Sequence, residues 1–380
     1  MTLEVPDLSD AALAAVTAEI ASTAADYDRT GELPWKGIEA AHRAGLLTAT
    51  VGKQYGGPGV GPRETARILT AIGEGDASVG LLAANTLISH AGQAARPHWP
   101  SAYYDDLLLR SRTGPALVNA IRAEPELGAP ARGGLPKTTV TRTDDGWIVN
   151  GHKAYATGGA GLAYHVVWAV DGDRVGHVIV PGDSPGIRWV DTWDHLGLRA
   201  SNTHDVIYED VVVAADAFVE IPRGADGVYR DPAAQAGPGS FGHLALYIGV
   251  ARGARTAFAE FARSRVPASL GRPIAETERI QTVAGEIDLQ ITQAETLLHG
   301  ALLRLAAGEN PNLSAVKVAI ARSVIAATQT AVAALGNPGL SRHNPLERHL
   351  RDALCIRVHP PQEDAVLLAA GRQILKETPR

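Results

Sequence analysis

The stretch Asp145-Gly-Trp-Ile-Val-Asn-Gly-His-Lys153, followed by Tyr155-Ala-Thr-Gly-Gly159, decides the architecture. Asp144-Asp-Gly146 is a tight-turn signal between alternating segments, so Lys137 to Val149 reads as a β-hairpin. Two β-branched runs follow, Tyr164 to Val170 and Val175 to Val180. Asp171-Gly-Asp173 joins them into a second hairpin. Val206 to Val213 is a further strand. No helical pattern intervenes, whereas a doubly wound parallel sheet needs a helix at its crossovers. Residues 113–222 therefore predict an antiparallel sheet or barrel.

The flanks have a different period. In residues 1–112, Leu8 to Tyr27 places Leu13, Val16, Ile20 and Ala24 on one face behind Ser9, a suitable N-cap. Pro34 opens a second helical stretch to Leu46, in the first turn where its missing N–H costs nothing. Tyr55-Gly-Gly-Pro-Gly-Val-Gly-Pro62 is a tight loop. It lacks the Lys and the preceding strand of a phosphate loop. Arg63 to Glu74 and Ser78 to Ala95 return to helix. Residues 223–380 carry His243 to Arg265, Ile274 to Gly308, Asn312 to Leu335 and Gln362 to Lys376, long Ala-rich segments that pack as a bundle. The expected fold class is α+β: an N-terminal helical domain, a middle antiparallel β domain and a C-terminal four-helix bundle.

Composition narrows the function. The 380 residues include 35 basic and 41 acidic side chains, a net charge of −6. That balance argues against nucleic acid, which calls for a basic face. A single Cys, Cys355, excludes a disulfide framework and a Cys-built metal or iron–sulfur site. The N-terminus has no basic n-region, so no signal peptide is read there. The apolar window Val316 to Leu335 is interrupted by Lys317 and Arg322 and reads as a buried helix. A cytoplasmic enzyme fits this composition. No Ser-His-Asp order and no His-Glu-x-x-His pattern appears.

The motifs, taken in order, resemble the acyl-CoA dehydrogenases. Leu33 to Leu47 followed by Val51-Gly-Lys-Gln-Tyr-Gly-Gly-Pro-Gly-Val60 resembles that family's opening. Asp145 to Gly159 resembles its middle domain, and Gly197-Leu-Arg-Ala-Ser-Asn-Thr203 with Ile207-Tyr-Glu-Asp-Val-Val-Val213 resembles the exit strand. Leu346-Glu-Arg-His-Leu-Arg-Asp352 resembles the segment before the last helices. The resemblance covers nearly the whole chain. It implies a flavoprotein, usually a homotetramer, with FAD held between the β domain and the bundle and touched at one end by a neighbouring subunit. Thr157 would bond near the flavin N5 edge and Tyr155 would pack on the ring. Asn119 to Glu124, with Arg122 and Ala123, would line the pyrimidine side. Arg265 and Ser269 would sit near the pyrophosphate, and Gly336 belongs to the stretch that meets a neighbour's dinucleotide. Each of these residues alone also reads as an ordinary strand end or turn.

Two departures matter. The family's Glu base falls on Pro360 in Val358-His-Pro-Pro-Gln362, and in a second branch near Gly242 in Ser240-Phe-Gly-His-Leu244. Neither position holds a carboxylate, and removing a proton α to a thioester depends on a positioned base for roughly two to four orders of magnitude. Glu363 or Asp364 would replace it only if the helix start were shifted. The family's Gln-x-x-Gly-Gly reads Ala333-Ala-Leu-Gly-Asn337, and the loop Arg265 to Gly271 is longer than usual. These changes weaken adenine-end contacts and leave FAD or FMN open.

Both departures resemble the flavin-dependent monooxygenases of the same fold. Their implied chemistry uses reduced flavin from a separate reductase and O2 as co-substrate, through a C4a-(hydro)peroxide on a small organic substrate. Groups that set protonation are needed there, and histidine titrates near neutrality. His359 stands beside the lost Glu position, and His90 ends the helix from Leu81. His90 equally suits the dipole of a helix C-terminus. Ser201 and Asn202 are candidates to face the substrate. His343 and His349 lie in an alternating-charge segment that reads as a solvated or inter-subunit surface, with Arg351 and Asp352 in ion pairs. The alternative function is an acyl-CoA or acyl-carrier dehydrogenase with an atypical base.

Overall fold

The computed structural model describes residues 3–127, 135–224, 229 and 241–376. Five helices come first: α1 (Asp10–Thr30), α2 (Trp35–Arg43), α3 (Pro62–Gly75), α4 (Ala77–Ala95) and α5 (Ser101–Thr113). Ser9 caps α1 by accepting from the Ala12 N–H, and Gly31 ends it at φ 72°. That left-handed C-terminal geometry suits glycine. Asp76 caps α4 through the N–H groups of Ser78 and Val79. The helix α5 was not singled out by periodicity.

Eight strands follow: β1 (Leu117–Ile121), β2 (Thr139–Arg142), β3 (Gly146–Ala156), β4 (Leu162–Asp171), β5 (Arg174–Pro181), β6 (Ile187–Val190), β7 (His204–Ala214) and β8 (Phe218–Glu220). They form one sheet in the order β6-β7-β3-β2-β4-β5-β8, with β1 against β4. The two hairpins read from the turns are present, pairing Arg142 with Trp147 and Asp171 with Arg174. The sheet is not wholly antiparallel. β1 runs parallel to β4 from Leu117↔Leu162 to Ile121↔Val167, and β2 meets β4 in parallel at Thr139↔Val170. A parallel pair needs a long connection, and here the β2–β3 hairpin takes the place of a crossover helix.

A buried ion pair fastens this arrangement. Lys153 on β3 reaches Glu124 at 2.7 Å and donates to the Trp168 carbonyl at 2.6 Å. Glu124 also accepts from the N–H groups of Lys137 and Thr138 and from the Thr138 hydroxyl. Burial alone would raise the Glu124 carboxyl, but Lys153 and these donors hold it below the usual range. One pair therefore links the exit of β1, the start of β2, β3 and β4.

The C-terminal helices are α6 (Phe241–Ser264), α7 (Glu278–Ala306), α8 (Leu313–Leu335), the single turn α9 (Asn337–Leu340), α10 (Leu346–Leu354) and α11 (Glu363–Lys376). Among the described residues α8 alone is long and apolar enough to cross a membrane, and it is the mostly buried core helix of the bundle. One continuous apolar core runs from Leu13 and Ile20 through Val149 and Val206 to Ile291 and Ile320. The three zones thus share their interior.

The segment read as a solvated charged surface is partly interior. Leu346, Arg348, His349, Asp352 and Ala353 are buried on α10, while His343 is exposed. Helical spacing puts the buried set on one face, which charge alternation does not reveal. Arg351 does form structural ion pairs, with Asp28 at 2.6 Å and Glu347 at 2.7 Å. It also donates to the Leu196 carbonyl, tying α10 to α1 and to the loop before β7.

Candidate active site

The end of β3 forms one wall. Tyr155 adopts φ 57° and is 59% exposed. A bulky residue with positive φ carries strain of roughly 1–2 kcal/mol, which is commonest at functional positions. His195 meets Tyr155 edge-on at 6.3 Å and stacks on Trp193 at 3.6 Å. Behind this shelf runs a row of hydroxyls. Ser201 and Thr203 lie 2.7 Å apart, and Thr203 donates to the Thr157 hydroxyl at 3.0 Å. No described residue accepts the Thr157 proton, so the row ends on a donor. Asn119 on β1 donates to the Thr157 carbonyl at 3.0 Å, and the Gly158 N–H donates to the Ser201 carbonyl. An exposed aromatic plate with fixed donors at its edge suits a planar heteroaromatic ligand.

Helix α4 carries this wall to the bundle. Thr86 accepts the Val118 N–H of β1 at 3.2 Å. Its neighbour Asn85, about 100° around the helix, lies 3.2 Å from His243 Nε2 on α6. Consecutive residues therefore connect the Asn119–Thr157 corner with the first turn of α6.

There the bundle presents two histidines. His243 and His359 stack with centroids 5.0 Å apart and planes 11° from parallel. His359 Nε2 lies 2.7 Å from the hydroxyl of the buried Tyr247. Burial pushes His243 down to about 4. Burial, then the charges of His243 and Lys317, push His359 down to about 3. Burial holds Tyr247 well above its usual range, so it stays a phenol. At neutral pH the group is an uncharged network of two imidazoles, a phenol and an amide.

The residues chosen from sequence divide. Asn119, Tyr155 and Thr157 meet at the β3 wall, and His359 lies in the bundle against His243 and Tyr247. Arg122 and Ala123 follow β1 half-buried, with Ala123 accepting the Ala154 N–H at 2.9 Å. Ser201 is sealed at 0% exposure inside the hydroxyl row, and the Asn202 amide is fastened to the Gly31 carbonyl at 2.8 Å. Both therefore shape the loop. His90 lies about 140° around α4 from Asn85. It is buried against Tyr104 at 3.0 Å, apart from the histidine pair. Arg265 and Ser269 are exposed beyond the far end of α6, about 33 Å along it from His243. Gly336 closes α8 about 28 Å from Lys317. Glu363, the alternative base, is bound by Arg322 at 2.6 and 2.9 Å.

Sequence reasoning missed Asn85, His243 and Tyr247. His243 stood inside the stretch searched for a carboxylate. Ser240, at its start, lies outside the described residues, and Gly242 is closed off, since a Cβ there would meet Leu69 Cδ1 at 2.9 Å. The available signal was a second polar titratable residue beside the lost Glu position. A cleft of about 1500 Å³ lies elsewhere, between α1, α3, α6, α7 and α10. Many of its charges are already paired, as in Arg67–Asp10, Arg252–Glu295 and Arg351–Asp28. It is a less suitable reaction site than the neutral pair.

Comparison with known proteins covers most of the chain. Residues 3–96, 120–211 and 241–361 match the models of the acyl-CoA dehydrogenase N-terminal, middle and C-terminal domains. The putative acyl-CoA dehydrogenase YdbM of Bacillus subtilis (strain 168) is 29% identical over 358 residues, 92% of each chain. The amino sugar nitrososynthase DnmZ of Streptomyces peucetius is 29% identical over 379 residues, 91% of this chain and 86% of that one. The structure of KijD3 in complex with FMN and dTDP-3-amino-2,3,6-trideoxy-4-keto-3-methyl-D-glucose superposes with a TM-score of 0.80 at 25% identity, covering 99% of this chain and 96% of that one.

Proposed function

The chain belongs to the acyl-CoA dehydrogenase family, and from that premise we propose that it is a flavin-dependent two-component monooxygenase. One observation carries this reading. Where the family's base would lie, the site presents the stacked neutral pair His243–His359, and neither position aligned with that base, Pro360 or Gly242, holds a carboxylate. Abstraction of a proton α to a thioester asks for a carboxylate of tuned pKa. Histidines held near 3 to 4 are poor acceptors for so weak an acid.

The residues at the β3 wall fit a flavin. Tyr155 offers a face for the ring, the Thr157 hydroxyl a donor to its edge, and Asn119 holds Thr157 in place. When bound in reduced form, the flavin supplies the two electrons that activate O2. The protein's part is to exclude water, to orient the substrate between Tyr155 and the histidines, and to move protons. The FMN and amino-sugar ligand of KijD3, and the nitrososynthase activity named for DnmZ, support an oxygenating reading. FMN is the flavin proposed here, because the family's Gln at the adenine end is Ala333 in this chain. A separate reductase delivers the reduced flavin, and a homotetramer is the proposed assembly.

The dehydrogenase alternative needs Glu363, which Arg322 binds through two N–H groups. A direct comparison tests the reading. Purified protein with a flavin reductase, NADH and O2 should oxygenate a small nucleophile. Bleaching of bound oxidised flavin by an acyl thioester without O2 would overturn it.

A further inference from the structure

Resting on the reading that the β3 wall holds the flavin, we propose that Asp352 is a positioning residue of that site. By accepting the Leu198 N–H it sets the loop from which both sides of the flavin wall hang. It acts through Leu198 and touches no ligand itself.

Leu198 is a junction. Its carbonyl accepts from the Ser201 N–H at 2.9 Å and from Trp193 Nε1 at 2.9 Å. The first bond leads to the hydroxyl row, since Ser201 meets Thr203 at 2.7 Å and Thr203 donates to Thr157 at 3.0 Å. The second leads to the aromatic shelf, since Trp193 stacks on His195 and His195 meets Tyr155 edge-on. One carbonyl therefore serves both the donor and the aromatic face offered to the ring.

This junction is strained. Among the described residues four non-glycine positions have positive φ, and three of them border the wall: Tyr155 at 57°, Leu198 at 54° and Asn202 at 47°. A residue with a side chain disfavours that region, so the geometry persists only where neighbours hold it. The Asn202 amide is tied to the Gly31 carbonyl. At Leu198 the holder of the N–H is Asp352, at 2.7 Å. The approach is close. A Cβ at Gly197 would come within 2.4 Å of the Arg351 carbonyl, so α10 and the loop meet backbone to backbone.

The other options open to this carboxyl make the bond informative. Asp352 is 5% exposed, and the Leu198 N–H is the only hydrogen-bond donor to its side chain among the described residues. Arg351 pairs instead with Asp28 and Glu347. Arg348, whose charge acts on Asp352, forms no ion pair with it among the described residues. A buried carboxylate is ordinarily held by such a cation. This one faces a loop amide, and so fixes the loop before the flavin arrives. A site whose competent geometry is only partly populated binds more weakly by that fraction.

Quenching of FMN fluorescence at one pH tests this without turnover. Asp352→Ala removes the acceptor, and FMN should bind about tenfold more weakly. Asp352→Asn restores an acceptor and should bind within about twofold of wild type. Trp193→Phe removes one donor to the Leu198 carbonyl, keeps a ring for His195, and should weaken binding about threefold. At saturating FMN the visible band of the bound flavin should shift toward that of free FMN in Asp352→Ala and return in Asp352→Asn. Lost stability alone would not move that band. Wild-type affinity in folded Asp352→Ala, or an equal loss in Asp352→Asn, overturns the proposal. Should Asp352→Ala not fold, weakened binding in both Trp193→Phe and Gly197→Ala supports it, and unchanged binding in both overturns it. A wild type that takes up no FMN overturns the flavin reading and the proposal with it, so the two failures are distinct.

Discussion

Asp352 on α10 accepts the backbone N–H of Leu198 at 2.7 Å, across 154 residues of sequence. Leu198 adopts φ 54°, in the loop that carries Ser201 and Thr203. Burial pushes Asp352 up to about 7, against the opposing pull of the Leu198 N–H and Arg348. The folded chain therefore holds a proton that the unfolded chain releases near pH 4. Stability from this group is complete below pH 4 and is lost as pH rises toward 7. Asp352→Asn keeps an acceptor for Leu198 and removes the titration. Relative to wild type, the variant should gain up to about 1.4 kcal/mol per pH unit between pH 4 and 7. Urea unfolding at pH 4.5 and pH 7.5 checks it, and parallel curves would refute it.

Buried histidines act in the opposite sense. Burial lowers His90 and His165 to about 4 and His349 to about 3, alongside the site pair. The folded chain binds fewer protons than the unfolded one below pH 6.5. Their stability is complete above that pH and is lost as pH falls toward 4, by up to about 1.4 kcal/mol per unit for each proton. Unfolding midpoints should drop steeply from pH 7 to pH 4. The drop should be shallower in His165→Gln, which removes one such proton.

Lys153→Met leaves Glu124 charged and buried. The expected loss is roughly 3–5 kcal/mol. Adding Glu124→Gln removes the orphaned charge while keeping an acceptor for Thr138, so the double variant should lie closer to wild type than the single one. Denaturant unfolding of the four proteins gives the coupling, and additive losses would count against it.

Tyr155→Gly should separate stability from binding. Glycine accepts φ 57° without strain, and the exposed ring contributes little burial. The ligand-free protein should unfold at equal or higher denaturant, by about 1 kcal/mol, while flavin binds more weakly.

Thr157→Val removes the donor at the end of the hydroxyl row and keeps the volume. Flavin affinity should fall roughly three- to tenfold, the usual worth of one neutral hydrogen bond. Thr157→Ser should restore it. Quenching of flavin fluorescence reads both.

Much of the fold was legible because turn chemistry and helical period are local properties. Asp144-Asp-Gly146 and Asp171-Gly-Asp173 mark their hairpins without help from the rest of the chain. The parallel partnership of β1 with β4 was not legible, since it depends on where a strand docks after a long connection. The site was half legible. Tyr155 and Thr157 sit in a contiguous motif, and His359 adjoins the missing base. Asn85, His243 and Tyr247 come from two helices and meet only in three dimensions. The same limit misplaced the α10 charges, because burial of His349 and Asp352 is set by which helix face meets the core.

The use of the adjacent residues Asn85 and Thr86 on two sides of one helix has a consequence for recombination. Helix α4 is encoded within the N-terminal third, yet it serves as the party wall of two rooms, one ending at Val118 and the other opening at His243. Transplanting the β domain from a relative at the obvious boundary would keep each room and mismatch the wall. A working chimera has to cross over before Ala77, so that α4 travels with the strands it supports.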